Sequence, residues 1–203
     1  SVNKIYNIRG NHNFEVEEEK LKKDQEALGL AKTYYTIEKD DWRLVFLNGN
    51  EITFNSLNPE IVDEAEKILA ELKAAEKPNS YEWNGGMSRQ QISWLDQQLE
   101  AAQNKNQKAA IFCHYPLLPF EAHALWNAEE VLEVLKKYDH VKLWLNGHNH
   151  KGNYTKQHGI HFLTVKAMVE TENENAFSIF TFSEDKIEIE GFGREPDREL
   201  VIE

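Results

Sequence analysis

Along roughly the first three quarters of the chain, short β-branched or apolar runs alternate with stretches whose apolar residues recur at helical spacing. Beyond Gly152 only short alternating runs remain. Lys4 to Ile8, with Ile5, Tyr6 and Ile8, predicts a strand that stops at Gly10-Asn11-His12, and the charged stretch Glu15 to Leu28 predicts a helix. Thr33 to Ile37 and Arg43 to Leu47 predict paired strands turning at Asp40-Asp41. Ile61, Ala65, Ile68, Leu69 and Leu72 repeat behind Pro59 and predict a helix over Pro59 to Ala75. After a polar loop from Glu76 to Gly86, Ser88 caps a helix carrying Ile92, Leu95, Leu99 and Ala102 on one face.

Lys108 to Cys113 predicts a buried strand, Glu129 to Tyr138 a helix, and Val141 to Leu145 a strand that opens into the loop Asn146 to His150. Tyr154 to Gln157, Ile160 to Val165, Phe177 to Phe182 and Ile187 to Gly191 predict further short strands. The order describes an α/β chain followed by an antiparallel run, and 203 residues suit one domain over residues 1–203.

Composition narrows the partners. A formal charge of −12 opposes a nucleic-acid polymer, whose binding relies on Lys and Arg neutralising phosphates. No apolar run reaches the ~20 residues of a membrane span, and Ser1-Val2-Asn3-Lys4 lacks the features of an export signal. The single Cys113, inside the run Ala110-Ile111-Phe112, predicts a buried thiol and agrees with a reducing, cytoplasmic setting.

Three predicted strands end in residues able to hold a metal: Asn11-His12, His114, and His148-Asn149-His150. In sheets with helical crossovers, functional groups gather beyond the carboxyl ends of strands, so these three ends can meet. Imidazole nitrogens with an amide oxygen suit manganese, iron or zinc better than calcium. His123, His140, His158 and His161 lack such placement and read as ordinary surface or core histidines.

Gly10-Asn11-His12, His114-Tyr115-Pro116 and Gly147-His148-Asn149-His150 resemble, in order, three motifs of the calcineurin-like metallophosphoesterases. Asn84-Gly85-Gly86, Gln91 to Leu95, Leu125 to Val131, Gly159 to His161, Glu170-Thr171 and Gly193 to Arg198 resemble the manganese-dependent ADP-ribose/CDP-alcohol diphosphatases within that family. The resemblance implies a four-layer αββα sandwich and a centre of two divalent metals, manganese favoured. Asn11, His114 and His148 would ligate one metal and His150 the other, with His12 acting as acid or transition-state stabiliser. Asn84, Gly85 and Trp126 would contact the substrate.

The implied activity is hydrolysis of a phosphoanhydride or phosphodiester bond in a small nucleotide-like substrate. A phosphomonoesterase, a cyclic-nucleotide phosphodiesterase, or a non-catalytic scaffold like the retromer subunit of this fold are the alternatives. The family's Asp-x-His and Gly-Asp motifs, expected upstream of Gly10, are not in the chain, which predicts an N-terminally truncated domain with impaired turnover.

Overall fold

The computed structural model describes residues 4–14, 20, 23 and 33–202. The expected helix over Glu15 to Leu28 lies outside the described residues, apart from Lys20 and Lys23. A 3₁₀ turn, Asn11–Phe14, precedes β1 (Tyr35–Lys39) and β2 (Trp42–Phe46). α1 (Pro59–Ala74), α2 (Arg89–Asn104), β3 (Lys108–Phe112), α3 (Ala128–Leu135) and β4 (Val141–Asn146) follow. β5 (Asn153–Gln157), β6 (Ile160–Thr164), a short 3₁₀ turn at Met168–Glu170, β7 (Ala176–Phe182), β8 (Lys186–Gly193) and β9 (Arg198–Val201) complete the order.

The larger sheet runs β1-β2-β3-β4-β6-β5. Its centre is parallel from β2 through β3 and β4 to β6, and both flanking pairs are antiparallel. Both faces of that centre are covered, as parallel strands require. Val45, Ala109, Ile111, Trp144 and Phe162 face a core built with Ile92, Leu95 and Leu99 of α2 and Val131 and Leu135 of α3. Ala110, Leu143 and Leu163 face the other way, against Ile187, Ile189 and Leu200 of the antiparallel sheet β7-β8-β9. Helices, mixed sheet and second sheet form three described layers. The outer helical layer that the resemblance implies is not among the described residues.

Local chemistry explains the helix starts. The Asn58 side chain accepts from Glu60 N ahead of Pro59, and Ser88 Oγ accepts from Gln91 N. Lys4 to Ile8 departs from expectation, since it pairs with no strand among the described residues. The Tyr6 ring lies 5.9 Å from that of Phe46, the Tyr35 hydroxyl donates to Asn7 O at 2.9 Å, and Ile5 is 74% exposed. β9 was not predicted, because Arg198-Glu199-Leu200-Val201 carries little apolar alternation of its own and pairs through the register of β8. No described helix is long and apolar enough to cross a membrane.

Candidate metal centre

β3 and β4 run parallel, so their carboxyl ends share one edge of the sheet. His114 and His148 lie two residues beyond those ends, and Gly147 N donates to His114 O at 3.0 Å to clamp the two loops together. Gly10 lies directly against the His114 ring; a Cβ there would meet His114 Cε1 at 2.7 Å. Only glycine lets the chain pass so close. Asn13 Oδ1 then accepts from Gly10 N at 2.9 Å and curls the backbone into the turn that carries Asn11 and His12.

The result brings three donor atoms together. Asn11 Oδ1 lies 3.0 Å from His114 Nε2, which lies 3.2 Å from His148 Nδ1. Ligands ~2.1 Å from one cation and at right angles are themselves ~3 Å apart, so this spacing fits a shared metal. His148 adopts φ 63°, a costly backbone state for a residue with a Cβ, and its ring is fixed from behind. Asn84 Nδ2 donates to Asn79 O and Ala122 O, at 3.0 and 2.7 Å, so its Oδ1 must face His148 Nε2 at 3.0 Å. Nε2 therefore carries the proton, and the Nδ1 lone pair points into the cluster.

Burial keeps both imidazoles neutral. Desolvation, with repulsion from His12 and His150, lowers the His114 pKa to about 4; desolvation, then the charges of His114, His123, His150 and His12, lowers that of His148 to about 2. Two neutral imidazoles and an amide oxygen are a donor set that suits a divalent transition metal. Among the described residues no group of three or more His, Cys, Asp or Glu side chains is arranged to hold one, so this half of the centre has no carboxylate.

The remaining expected residues are placed differently. His150 turns its Nδ1 to Glu170 Oε1 at 2.5 Å, with both side chains nearly half exposed. His12 is exposed on the turn, close enough to act on the His114 and His148 charges. Asn84 is buried behind His148, not open to a ligand. Gly85 serves backbone packing: its carbonyl accepts from Trp126 N, and a Cβ would meet Gly49 O at 2.4 Å. Trp126 is 3% exposed, donates from Nε1 to Tyr81 O, and packs edge-on to Phe54.

Two residues near the cluster were not predicted. The His123 ring lies 5.5 Å from that of His148, and Glu121 Oε1 accepts from Asn149 Nδ2 at 2.5 Å. Their signal was position, in the loop that follows the strand end at His114. Of the other three histidines, His161 is buried between the Tyr154 hydroxyl and Val201 O, as an ordinary core histidine. Cys113 is fully buried, which pushes its thiol up to about 12 and makes it inert.

Residues 1–152 match the calcineurin-like phosphoesterase family. The chain is 32% identical over 187 residues to a manganese-dependent ADP-ribose/CDP-alcohol diphosphatase of Arabidopsis thaliana, covering 82% of this chain and 60% of that protein. It is 37% identical over 123 residues to the protein of that name from Xenopus tropicalis, covering 58% of this chain and 36% of the relative. The crystal structure of a dimetal phosphatase from Danio rerio superposes with a TM-score of 0.83 at 25% identity, covering 98% of this chain and 72% of that one. The chain thus spans 60% or less of the length of these two curated relatives.

Proposed function

The chain belongs to the calcineurin-like phosphoesterases, and on that footing we propose metal-dependent hydrolysis of a phosphoanhydride or phosphodiester bond in a small nucleotide-like substrate. The observation that carries this reading is the convergence of Asn11 Oδ1, His114 Nε2 and His148 Nδ1. The names of the relatives point to ADP-ribose or a CDP-alcohol as the substrate and to manganese as the metal.

Asn11, His114 and His148 would hold one divalent cation, and His150 a second. Bound there, the cations would supply Lewis-acid polarisation of the phosphoryl oxygens. The chain's residues set up everything else. Asn84 fixes which nitrogen of His148 is presented, and Gly10 admits the His114 ring to the cluster. His12, exposed on the turn beside the ligand Asn11, can give a hydrogen bond or a proton to the leaving oxygen, a contribution typically of ~10²–10⁴-fold. In a protein of net charge −12, bound cations would supply the local positive field that an anionic substrate needs at this edge of the sheet.

One observation favours a second reading, a scaffold that binds metal without turnover: no carboxylate joins the described cluster. Manganese titration together with hydrolysis assays on ADP-ribose, CDP-choline and p-nitrophenyl phosphate separates the readings. The expected result is manganese-dependent release of AMP or CMP. Stoichiometric metal binding with no turnover of any of the three substrates would select the scaffold.

A further inference from the structure

Two residues before Asn11, the Arg9 side chain is 6% exposed, yet no oxygen among the described residues accepts a hydrogen bond from its guanidinium, and Nη1 is fully buried without a partner. Arginine carries five N–H donors and a permanent charge, so burying it without an acceptor is costly. The Phe14 ring, 5.0 Å away, holds the guanidinium in place.

Arg9 lines a cavity of about 500 Å³ with Phe14, Asn50, Thr53, Asn55 and Ser56, between the 3₁₀ turn and the loop before α1. Glu51 and Glu64 also line it. The Glu51 carboxylate is engaged by Ser88 N at 2.9 Å and Gln91 Nε2 at 2.7 Å, away from Arg9. The wall is tied to the metal-side residues: Asn50 donates to Arg9 O at 3.1 Å and accepts from the Tyr115 hydroxyl at 2.6 Å. Two residues of extended chain span at most ~7 Å, which bounds the backbone separation of Arg9 and Asn11, although none of Asn11, His114 and His148 lines the cavity.

We propose that this cavity is an oxyanion subsite in which Arg9 holds a phosphate group, supplied either by the second phosphoryl group of a diphosphate substrate or by free inorganic phosphate. The first source rests on the phosphohydrolase reading above; phosphate binding itself does not. An anion on Arg9 provides the acceptor the buried guanidinium lacks, and its planar fork suits two phosphate oxygens at once.

Calorimetric titration of the metal-free chain with inorganic phosphate tests the subsite without any need for turnover. Arg9→Gln is expected to weaken phosphate binding by about 10–100-fold, with Arg9→Lys between the two. The melting temperature of metal-free Arg9→Gln is expected to equal or exceed that of the parent, because an uncompensated buried charge has been removed. Phosphate binding unchanged by Arg9→Gln, no phosphate binding by the parent chain, or a clear drop in melting temperature would each overturn the proposal. Kinetics then separate the two sources. A KM for ADP-ribose raised by a larger factor than that for bis(p-nitrophenyl) phosphate identifies the substrate's second phosphoryl group; equal factors with weaker inhibition by phosphate identify the free anion. Absence of hydrolysis by the parent chain would sink the phosphohydrolase reading and leave the titration result standing.

Discussion

The two sides of the candidate centre are built in different ways. Asn11, His114 and His148 are held from within the protein: Gly10 gives way to a ring, Asn84 fixes a tautomer, and the parallel strands β3 and β4 deliver both histidines to one edge. His150 sits nearly half exposed on the same loop, and its side chain is engaged by Glu170 from the 3₁₀ turn after β6. On one side three donor atoms already converge. On the other, His150 Nδ1 is already engaged, so a cation proposed there would have to displace or share that contact. Pre-organisation of this kind raises affinity by cutting the cost of ordering, so the buried side is expected to fill first.

His114→Ala tests that contrast most severely. It removes the donor shared by both short contacts in the cluster, and the tighter manganese affinity should fall by more than ~100-fold, beyond the ~10–100-fold typical of losing a partner behind a ligand. Atomic-absorption analysis and calorimetry would show it. Retention of the tight site would mean that the buried side is not the one that fills first.

Acidification should expose the same asymmetry in the metal-free protein. His114 at about 4 and His148 at about 2 both lie below the usual histidine value of 6.5. Below pH 6.5 the unfolded chain takes protons that these folded imidazoles refuse. Stability is therefore whole above pH 6.5 and falls as pH drops, at up to ~1.4 kcal/mol per pH unit for each histidine. The His114 contribution is exhausted near pH 4, while that of His148 continues toward pH 2. Urea melts between pH 7 and 4 should show the decline, and His148→Phe should flatten it. An unchanged slope in that variant would place the acid sensitivity elsewhere.

Asn84→Leu sharpens the argument from geometry. Without the Oδ1 acceptor, the His148 Nε2 proton is no longer specified, and manganese affinity should weaken by ~10–100-fold. The carbonyls of Asn79 and Ala122 also lose a donor, which should cost ~1–3 kcal/mol of stability. Nitrogen-15 shifts of His148 in the unsubstituted protein give a check that does not depend on the variant folding. Nε2 should be protonated and Nδ1 bare. The opposite tautomer would refute the role given to Asn84.

Much of this was legible in the sequence where local chemistry decides the outcome. The apolar spacing behind Pro59 located α1 to within a residue, and Ser88 marked the start of α2, because cap and periodicity act over one or two turns. The strand ends named His114 and His148, since a parallel sheet turns sequence position into spatial convergence, whereas Asn11, expected at a strand end too, joins them through the packing of Gly10 on the His114 ring. What depends on distant partners was not legible. The apolar pattern of Lys4 to Ile8 could not reveal that Tyr6 would rest on Phe46 without a strand partner. Asn84 and Trp126 looked like substrate contacts, but only the fold shows one bonded to His148 and the other sealed under Tyr81 and Phe54. His123 looked ordinary because nothing in its neighbours along the chain reveals the ring of His148.

Glu170→Gln addresses the exposed side and carries the smallest expected effect. The His150–Glu170 contact of 2.5 Å lies at the surface, where solvent and salt weaken a charged partner, and exposed pairs contribute ~0–1 kcal/mol. Glutamine keeps an oxygen able to accept from Nδ1, so the ring orientation should survive and only the charge is lost. The second manganese affinity should therefore change by less than about tenfold, and the tight affinity should not change at all. Manganese titration of Glu170→Gln followed by electron paramagnetic resonance reads both steps in one experiment. If the first, tight step moved by more than the second, Glu170 would be coupled to the buried cluster, and the division of the centre into a pre-organised and a solvent-facing side would be wrong.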